Sequence, residues 1–165
     1  FSIHIKCLEP GSWTDVLQRM VVSESKSLRM QVEGPYGEIS TQWMARYPTL
    51  VLAAGGIGFT QISPIIELAL DESHRRRILP NLSRLVVVWT VQQPEHLSWF
   101  QDLLERCHLF AADSDGGRNR SYQLTVQLSL HATRAPPNAA FAYLGSGPSH
   151  AALHLGRPDL LRILE

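Results

Sequence analysis

An apolar run that ends in a cluster of glycines, residues 49–60, constrains the fold of this chain more than any other stretch. Residues 50–54 include no polar side chain, which is typical of a strand buried on both faces, as in a parallel sheet covered by helices. The glycines that follow are Gly55, Gly56 and Gly58. They allow a sharp turn and leave no side chain between the backbone and a ligand. Residues 62–70 then show helical spacing, so the stretch predicts a strand, a glycine loop and a helix.

A helix that begins at such a loop directs free N–H groups and the positive end of its dipole toward the glycines, which suits a phosphate. A P-loop would need Gly-Lys-Ser/Thr, but Phe59 and Thr60 follow Gly58, which argues against ATP or GTP. An ordinary dinucleotide fingerprint would have a glycine in place of Gln61 and an acidic residue near 90–92. A nucleotide phosphate site is the favoured interpretation, and a plain strand–helix turn is the alternative.

The composition is that of a globular domain, and 165 residues suffice for one domain or for one domain and part of another. Because 15 basic residues balance 15 acidic ones, we expect no nucleic-acid partner. Cys7 and Cys107 lack neighbouring ligands at metal-site spacing, which predicts free thiols in a reducing compartment. No apolar stretch of about 18 residues is present to cross a membrane. The chain begins at Phe1, inside an apparent strand, which indicates a fragment of a longer protein.

The first forty residues predict little regular structure beyond two strands and one short helix. Alternation of apolar and polar residues predicts strands at 1–7 and 27–33. Between them, Thr14 is the expected N-cap of a helix, with Asp15 in its first turn. This helix start is a second place where an anion could bind, and a capped helix with no ligand is the alternative. A polar linker at 38–48 would separate this part from the rest.

After residue 48 the segments predict an α/β layout with a mostly parallel sheet. The elements expected after the first strand are a helix at 61–73 with Pro64 in its first turn, a second buried strand at 83–91 with its apolar run at 85–89, a helix at 94–107, a loop at 113–120, a strand at 122–130, an extended segment at 135–149 and a last helix started by Pro158. The basic run 74–77 is expected to be a solvated helix C-terminus, with contact to anionic lipid as the alternative.

No catalytic constellation and no metal-ligand cluster is apparent in the sequence. The seven histidines are scattered, and Ser146 lacks the strand–turn–helix context of a nucleophile elbow. If the chain belongs to an enzyme, we therefore expect a bound cofactor to carry the chemistry.

Four short segments occur in order along the chain. They are Gly-Ser-Trp-Thr (11–14), Val-Glu-Gly-Pro-Tyr-Gly (32–37), Leu-Val-Leu-Ala-Ala-Gly-Gly-Ile-Gly (50–58) and Gly-Arg-Pro (156–158). In this order they resemble the ferric reductase and NADPH oxidase flavoprotein family, whose members carry a ferredoxin–NADP reductase-like module behind haem-bearing membrane helices. The second and third segments look closer to plant-type ferric-chelate reductases than to superoxide-producing oxidases.

The resemblance implies two parts. Residues 1–40 would be the C-terminal part of an antiparallel FAD-binding β-barrel, and residues 48–165 a parallel, Rossmann-like NADPH-binding domain that is incomplete at its C-terminus. The residues that match the start of the FAD pyrophosphate-binding helix are Gly11, Ser12, Trp13 and Thr14. Those that match the nucleotide-receiving loop are Gly55, Gly56, Ile57, Gly58, Phe59 and Thr60. Arg157 matches a position where a guanidinium can pair with a phosphate; a plain surface arginine is the alternative.

The activity implied by the resemblance is that of an NADPH-dependent oxidoreductase of the ferric-chelate reductase type. Hydride would pass from NADPH to FAD, and electrons would then pass through haem to an iron(III) chelate. The haem would lie in membrane helices that precede Phe1. This module would then lie on the cytosolic side of the plasma membrane, and we expect the isolated fragment to be inactive. The alternatives are the same module of a superoxide-producing oxidase and a truncated or degenerate copy.

Two departures from the family pattern keep these alternatives open. Gln61 stands where the family usually has a proline after the threonine of its glycine loop. After the second strand, Gln92 and Gln93 offer no positive charge for the 2′-phosphate of NADPH, so the sequence does not decide between NADPH and NADH.

Overall fold

The computed structural model describes residues 3–23, 31–34, 36, 40–113, 124–135 and 151–164, without the side chains of 111–113, 151–153 and 164. The chain divides into two compact units, Phe1–Ile39 and Ser40–Glu165. The segments predicted at 27–30, at 114–123 and at 136–150, which include Ser146, lie outside the described residues, as do Pro35 and Gly37 of the segment at 32–37.

In the first unit, the described residues form one helix, α1, which spans Trp13–Ser23. Its N-cap is Ser12, whose Oγ accepts a hydrogen bond from the Asp15 N–H at 3.3 Å. The prediction of Thr14 as the N-cap was therefore wrong. Thr14 lies in the first turn and is buried, and its Oγ1 accepts the Leu8 N–H at 3.3 Å.

The strand predicted at 1–7 is absent from its described residues, 3–7. Ile3 and Ile5, which the alternation assigns to a buried face, are exposed. An alternating segment forms a strand only when a neighbouring strand supplies hydrogen bonds, and no described strand pairs with this one. Residues 31–33 of the second predicted strand also have no strand structure. The flavin-binding barrel implied by the resemblance is thus not seen among the described residues.

The second unit is built on a four-stranded parallel sheet, which confirms the predicted α/β class. Its strands are β1 (Thr49–Gly55), β2 (Arg84–Val91), β3 (Thr125–Ala132) and β4 (Ala151–Leu155), in the spatial order β1-β2-β3-β4. The alternation of apolar residues did not predict β4. The pairing aligns Gly55 with Thr90, Val91 with Ala132, and Ala132 with Leu155, so all carboxyl ends lie along one edge.

The remaining helices of this unit are α2 (Phe59–Leu70), α3 (Glu72–Ile78), α4 (Gln101–Asp113) and α5 (Leu160–Leu164), and 3₁₀ turns cover Met44–Arg46, Gly56–Gly58 and Pro94–Phe100. The helix predicted at 61–73 is broken at Asp71, because the Asp71 carboxylate accepts the N–H groups of Ser73 and His74 and so caps a new helix. Asp159, rather than Pro158, lies immediately before α5, and its carboxylate accepts the N–H groups of Leu161 and Arg162.

The hydrophobic core lies between one face of the sheet and the helices. The central strand β2 is buried on both faces over residues 85–89. β1 behaves differently, because Leu50 and Leu52 face the core while Val51, on the other face, is 43% exposed. The prediction that β1 is buried on both faces was wrong, since β1 is an edge strand of the described sheet and only one of its faces is covered.

The basic run 74–77 also differs from the prediction at one position. Arg75 is 4% exposed; its guanidinium donates to the Ala69 carbonyl at 3.0 Å and lies 5.7 Å from the centre of the Phe110 ring. The Ala69 carbonyl lies at the C-terminal end of α2, where helix carbonyls lack helical partners. The prediction that this run is solvated was therefore wrong for Arg75, whereas His74, Arg76 and Arg77 are exposed.

Candidate functional site

The glycine loop joins the carboxyl end of β1 to the start of α2. Gly55 ends the strand, a 3₁₀ turn covers Gly56–Gly58, and α2 begins at Phe59. Gly56 has a φ of +50°, in the left-handed region, which a side chain makes unfavourable. A Cβ atom added at Gly55, Gly56 or Gly58 would meet no described heavy atom within 4 Å. The backbone of the loop therefore borders open space on the side where side chains would project.

Beneath the loop lies a cluster of aromatic side chains, in which Phe59 and Trp89 are fully buried and Phe100 is half-buried. The Trp89 indole N–H, from β2, donates to the Gly56 carbonyl at 2.9 Å. The Phe59 ring stacks on Trp89 with ring centres 4.2 Å apart, and Phe100 packs edge-on against Phe59 at 4.8 Å. Because Phe59 is fully buried, its side chain supports the loop from the core side. The resemblance assigned Phe59 to the nucleotide-receiving loop, but the sequence did not reveal that Trp89 is bonded to the loop.

The start of α2 is fixed by two hydroxyl groups. Thr60 Oγ1 donates to the Ile57 carbonyl at 2.9 Å, within the loop itself. Ser63 Oγ donates to the Thr60 carbonyl at 3.2 Å. That carbonyl would ordinarily accept the N–H of residue 64, which proline lacks. Pro64 is the sixth residue of the helix, beyond the predicted first turn, and Ser63 offsets the missing hydrogen bond.

The segment that follows β3 runs beside the end of β2. The N–H groups of Thr133 and Arg134 donate to the carbonyls of Val91 and Gln92 at 3.0 and 2.8 Å. Arg134 is exposed, and no described residue forms an ion pair with its guanidinium. Sequence analysis found no positive charge after β2, because Arg134 is distant in sequence and only the parallel pairing places it there.

Arg157 lies at the same edge of the sheet, after β4. It is exposed and follows Gly156, which has a φ of +97° and donates its N–H to the Ala132 carbonyl at 2.9 Å. Three strand spacings of about 4.8 Å separate β4 from β1, a distance of about 14 Å. Arg157 and the glycine loop thus follow the two outer strands of the described sheet, an arrangement in which both could contact one extended nucleotide.

A parallel sheet with a glycine loop at the carboxyl end of an apolar strand is the arrangement of nucleotide-binding α/β domains. The family model described as the ferric reductase NAD binding domain matches residues 47–165. The chain belongs to this family. The match covers the second unit from just before β1, so the glycine loop is the loop of a ferric reductase NAD-binding domain.

Individual relatives of this NAD-binding domain are oxidoreductases by name. Ferric reduction oxidase 7 of Arabidopsis thaliana is 35% identical over 109 residues, which is 62% of this chain and 12% of that protein. Human NADPH oxidase 4 is 25% identical over 146 residues, which is 81% of this chain and 23% of that protein. A probable cell surface ferric reductase of Aspergillus oryzae is 32% identical over 80 residues, 48% of this chain and 10% of that protein. The chain thus spans less than a quarter of these relatives.

At the second predicted anion site, the start of α1, a carboxylate of the chain itself binds a backbone N–H group. Gly11 has a φ of +84°, and its N–H donates to the Asp15 carboxylate at 2.7 Å. Ser12 Oγ lies 2.9 Å from Thr14 Oγ1, and Trp13 is 70% exposed. The Gly11 hydrogen bond, followed by Arg19, lowers the pKa of Asp15. One N–H group of this helix start is therefore already bound to an anion of the chain itself.

A buried polar pair that sequence analysis missed lies on β3. Ser129 Oγ is 2.9 Å from His131 Nε2, and the His131 ring stacks on His154 of β4 at 4.9 Å. Burial, and then the nearby His154, lowers the pKa of His131, which favours a neutral imidazole. Because Ser129 is buried within the strand, its hydroxyl is not placed to act as a nucleophile.

The described residues contain no group of three or more His, Cys, Asp or Glu side chains able to hold a metal ion. Among the described helices, none has the length and apolar character needed to cross a membrane. Cys7 and Cys107 are free thiols, and burial raises the pKa of Cys107 to about 12, so this thiol is not reactive near neutral pH.

Proposed function

We propose that this chain is the NADPH-binding module of a membrane ferric-chelate reductase, and that it receives the nucleotide on the glycine loop. The observation that supports this most strongly is the loop itself, with a positive φ at Gly56, open space beside all three glycines and a helix start behind them. Membership of the ferric reductase NAD-binding family points to the same nucleotide class.

The groups that lie where the carboxyl ends of the strands meet, along one edge of the sheet, would then have separate roles. Backbone N–H groups of Gly56, Ile57 and Gly58 would bind the pyrophosphate of NADPH, because they lie in the first turn of helical structure, where N–H groups lack helical partners. Arg157, which follows β4 at about 14 Å from β1, would bind another part of the extended nucleotide. Arg134, beside the end of β2, would supply the charge for the 2′-phosphate that Gln92 and Gln93 cannot supply.

When bound, FAD would accept hydride from the nicotinamide and release single electrons toward haem and an iron(III) chelate. In this chain, the start of α1 is proposed to hold the FAD pyrophosphate. Since Asp15 already accepts the Gly11 N–H, the pyrophosphate would bind the N–H groups of Trp13 and Thr14 or displace Asp15. The haem, the membrane helices and the cytosolic placement of the module at the plasma membrane are parts of the proposal that belong to the whole protein.

A superoxide-producing oxidase is the second candidate, because NADPH oxidase 4 is among the relatives and aligns over more of this chain than the ferric reductases do. We favour the ferric reductase because ferric reduction oxidases are more similar in sequence where they align, at 35% and 41% identity against 25%. A degenerate copy without enzymatic activity is the third candidate, which the departure from the family pattern at Gln61 supports.

The experiment that tests this uses membranes that carry the whole protein. Reduction of an iron(III) chelate by NADPH is followed without oxygen, and then with oxygen and superoxide dismutase. We expect rapid reduction that neither condition changes. Activity that needs oxygen and is abolished by the dismutase would identify an oxidase instead. Absence of NADPH-dependent reduction under both conditions, in membranes that contain the folded protein, would favour the degenerate copy.

A further inference from the structure

The buried indole of Trp89 is hydrogen-bonded to the backbone of the glycine loop. Trp89 lies on β2, paired in register with Ala54 of β1, and is fully buried. A buried indole N–H needs an acceptor, and here the acceptor is a backbone carbonyl of the glycine loop, Gly56 O, at 2.9 Å. A side chain of the neighbouring strand is therefore bonded to the turn that is proposed to receive the nucleotide.

The direction of this hydrogen bond determines how one peptide group of the loop is oriented. The carbonyl of Gly56 and the N–H of Ile57 belong to the same planar trans peptide and point in opposite directions. When Trp89 holds the carbonyl toward the core, the Ile57 N–H is directed away from the core. The positive φ of Gly56, +50°, makes this orientation accessible to the backbone.

We propose that Trp89 is a positioning residue for the bound nucleotide, because its indole N–H, together with the backbone N–H of Phe59, holds the Gly56 carbonyl so that the Ile57 N–H is directed at a phosphate. This inference rests on the proposed function of the glycine loop and adds a residue that never touches the ligand. A rotated peptide would leave the buried indole N–H without an acceptor, so the rotated state is disfavoured before the ligand arrives.

Two aromatic contacts keep the indole in the orientation that this role requires. Phe59 stacks on Trp89 with an interplanar angle of 25°, and Phe100 meets it edge-on with ring centres 5.7 Å apart. Trp89 could not tilt away from Gly56 without disrupting both contacts. The loop is thus held from below by a rigid group, which is the preorganisation that tight phosphate binding needs.

The test compares Trp89→Phe with Trp99→Phe in the whole protein, by measuring the KM for NADPH and the kcat separately. Trp99 is the matched control, since it is 37% exposed and stacks on His96. For Trp89→Phe we expect the KM to rise about five- to tenfold with kcat changed less than twofold, as for the loss of one ground-state binding contact. Trp99→Phe should leave both values unchanged.

The split between KM and kcat separates positioning from a merely structural role. A variant that is partly misfolded has fewer active molecules, so its apparent kcat falls while its KM stays the same. If Trp89→Phe fails to fold, replacement of Trp89 by β-(3-benzothienyl)alanine keeps the ring system and substitutes sulfur for the N–H group. A KM within twofold of the wild-type value in the folded variant would overturn the proposal. A wild-type protein that shows no saturable use of NADPH would overturn the proposed function and, with it, this inference.

Discussion

Two helix starts in this chain, at Gly11–Thr14 and at Gly55–Thr60, look alike in sequence and differ in structure. Both follow a glycine with positive φ, and both were predicted to bind the phosphates of a cofactor. At the first, the Asp15 carboxylate occupies the Gly11 N–H and Arg19 neutralises that carboxylate. At the second, space beside the glycines is open and the carbonyl of Gly56 is bonded toward the core. A helix start can bind an anionic ligand only through those backbone N–H groups that the chain's own side chains do not already occupy.

The largest effect is expected from Gly56→Val in the glycine loop. A β-branched residue at a φ of +50° is strained by more than the roughly 1–2 kcal/mol of an ordinary side chain, and its methyl groups enter the space beside the loop. We expect the affinity for NADPH to fall at least about a hundredfold, which corresponds to about 2.7 kcal/mol. Titration of NADPH, followed by fluorescence or by thermal shift, measures the loss.

Ala53→Val is the matched control for this change. It adds the same two methyl groups to β1 on an exposed position, two residues before the loop. Its affinity for NADPH should stay within about threefold of the wild-type value, because the loop backbone is unchanged. If Gly56→Val binds NADPH as well as Ala53→Val does, the glycine loop is not the nucleotide site. The open space at the second helix start would then not indicate ligand binding.

The second prediction concerns two arginines, Arg19 near the first helix start and Arg134 near the second, which differ in their ion pairing. Arg19 is paired with Asp15, whereas no described residue pairs with Arg134. If Arg134 binds the 2′-phosphate, Arg134→Ala should raise the KM for NADPH about tenfold and leave the KM for NADH unchanged, since NADH lacks that phosphate. Arg77→Ala, which removes an exposed arginine from α3, serves as the control. Equal losses for both nucleotides would show that Arg134 does not read the 2′-phosphate.

A smaller effect is expected at the first helix start, from the pair of variants Asp15→Asn and Arg19→Gln. Asn removes the negative charge that competes for the Gly11 N–H, so FAD should bind the whole protein about threefold more tightly. Gln at position 19 leaves the Asp15 charge without its partner, so FAD should bind more weakly. Titration of the apoprotein with FAD measures both changes. Identical affinities for the two variants would show that the pyrophosphate does not bind this helix start.

The parts of the fold that followed from the sequence are those in which local pattern and tertiary environment agree. The apolar run at 85–89 predicted a buried strand, and β2 is buried on both faces. The run at 50–54 made the same prediction and was wrong for one face, because an apolar composition does not say which strand lies at an edge. Arg75 shows a related failure, since a basic run is ordinarily solvated and only the packing of α3 places a guanidinium over Phe110.

The residues of the candidate site also fall into those that the sequence could reveal and those that it could not. The glycines of the loop could be identified from sequence, because left-handed backbone and close ligand approach both require glycine. Trp89 and Arg134 could not, because each reaches the site through strand pairing between residues distant in sequence: Trp89 to Gly56, and Arg134 to Gln92. Thr14 was predicted as the N-cap, but Ser12 is also of a residue type that caps helices, and the hydrogen-bond geometry identifies Ser12.

The smallest expected effect is a difference in pH dependence between the two helix starts. The pKa of Asp15 is lowered by the Gly11 N–H and by Arg19, so the folded unit favours the charged carboxylate. The resulting stabilisation is fully present above the unfolded pKa of about 3.9 and is lost as the pH falls through the lower folded pKa. In an NMR titration from about pH 6 to pH 2, the Gly11 amide resonance should therefore move with a midpoint below about 3.9.

The Gly56 amide offers the contrast, because no described carboxylate forms a hydrogen bond in the glycine loop. Its resonance should stay nearly constant over that range while the second unit remains folded. Asp15→Asn should abolish the movement at Gly11 and leave Gly56 as it was. A midpoint at Gly11 near or above the ordinary value for aspartate would mean that Asp15 does not bind this N–H in solution. The first helix start would then be as open to a ligand as the second, and the reason for expecting tighter FAD binding by Asp15→Asn would disappear.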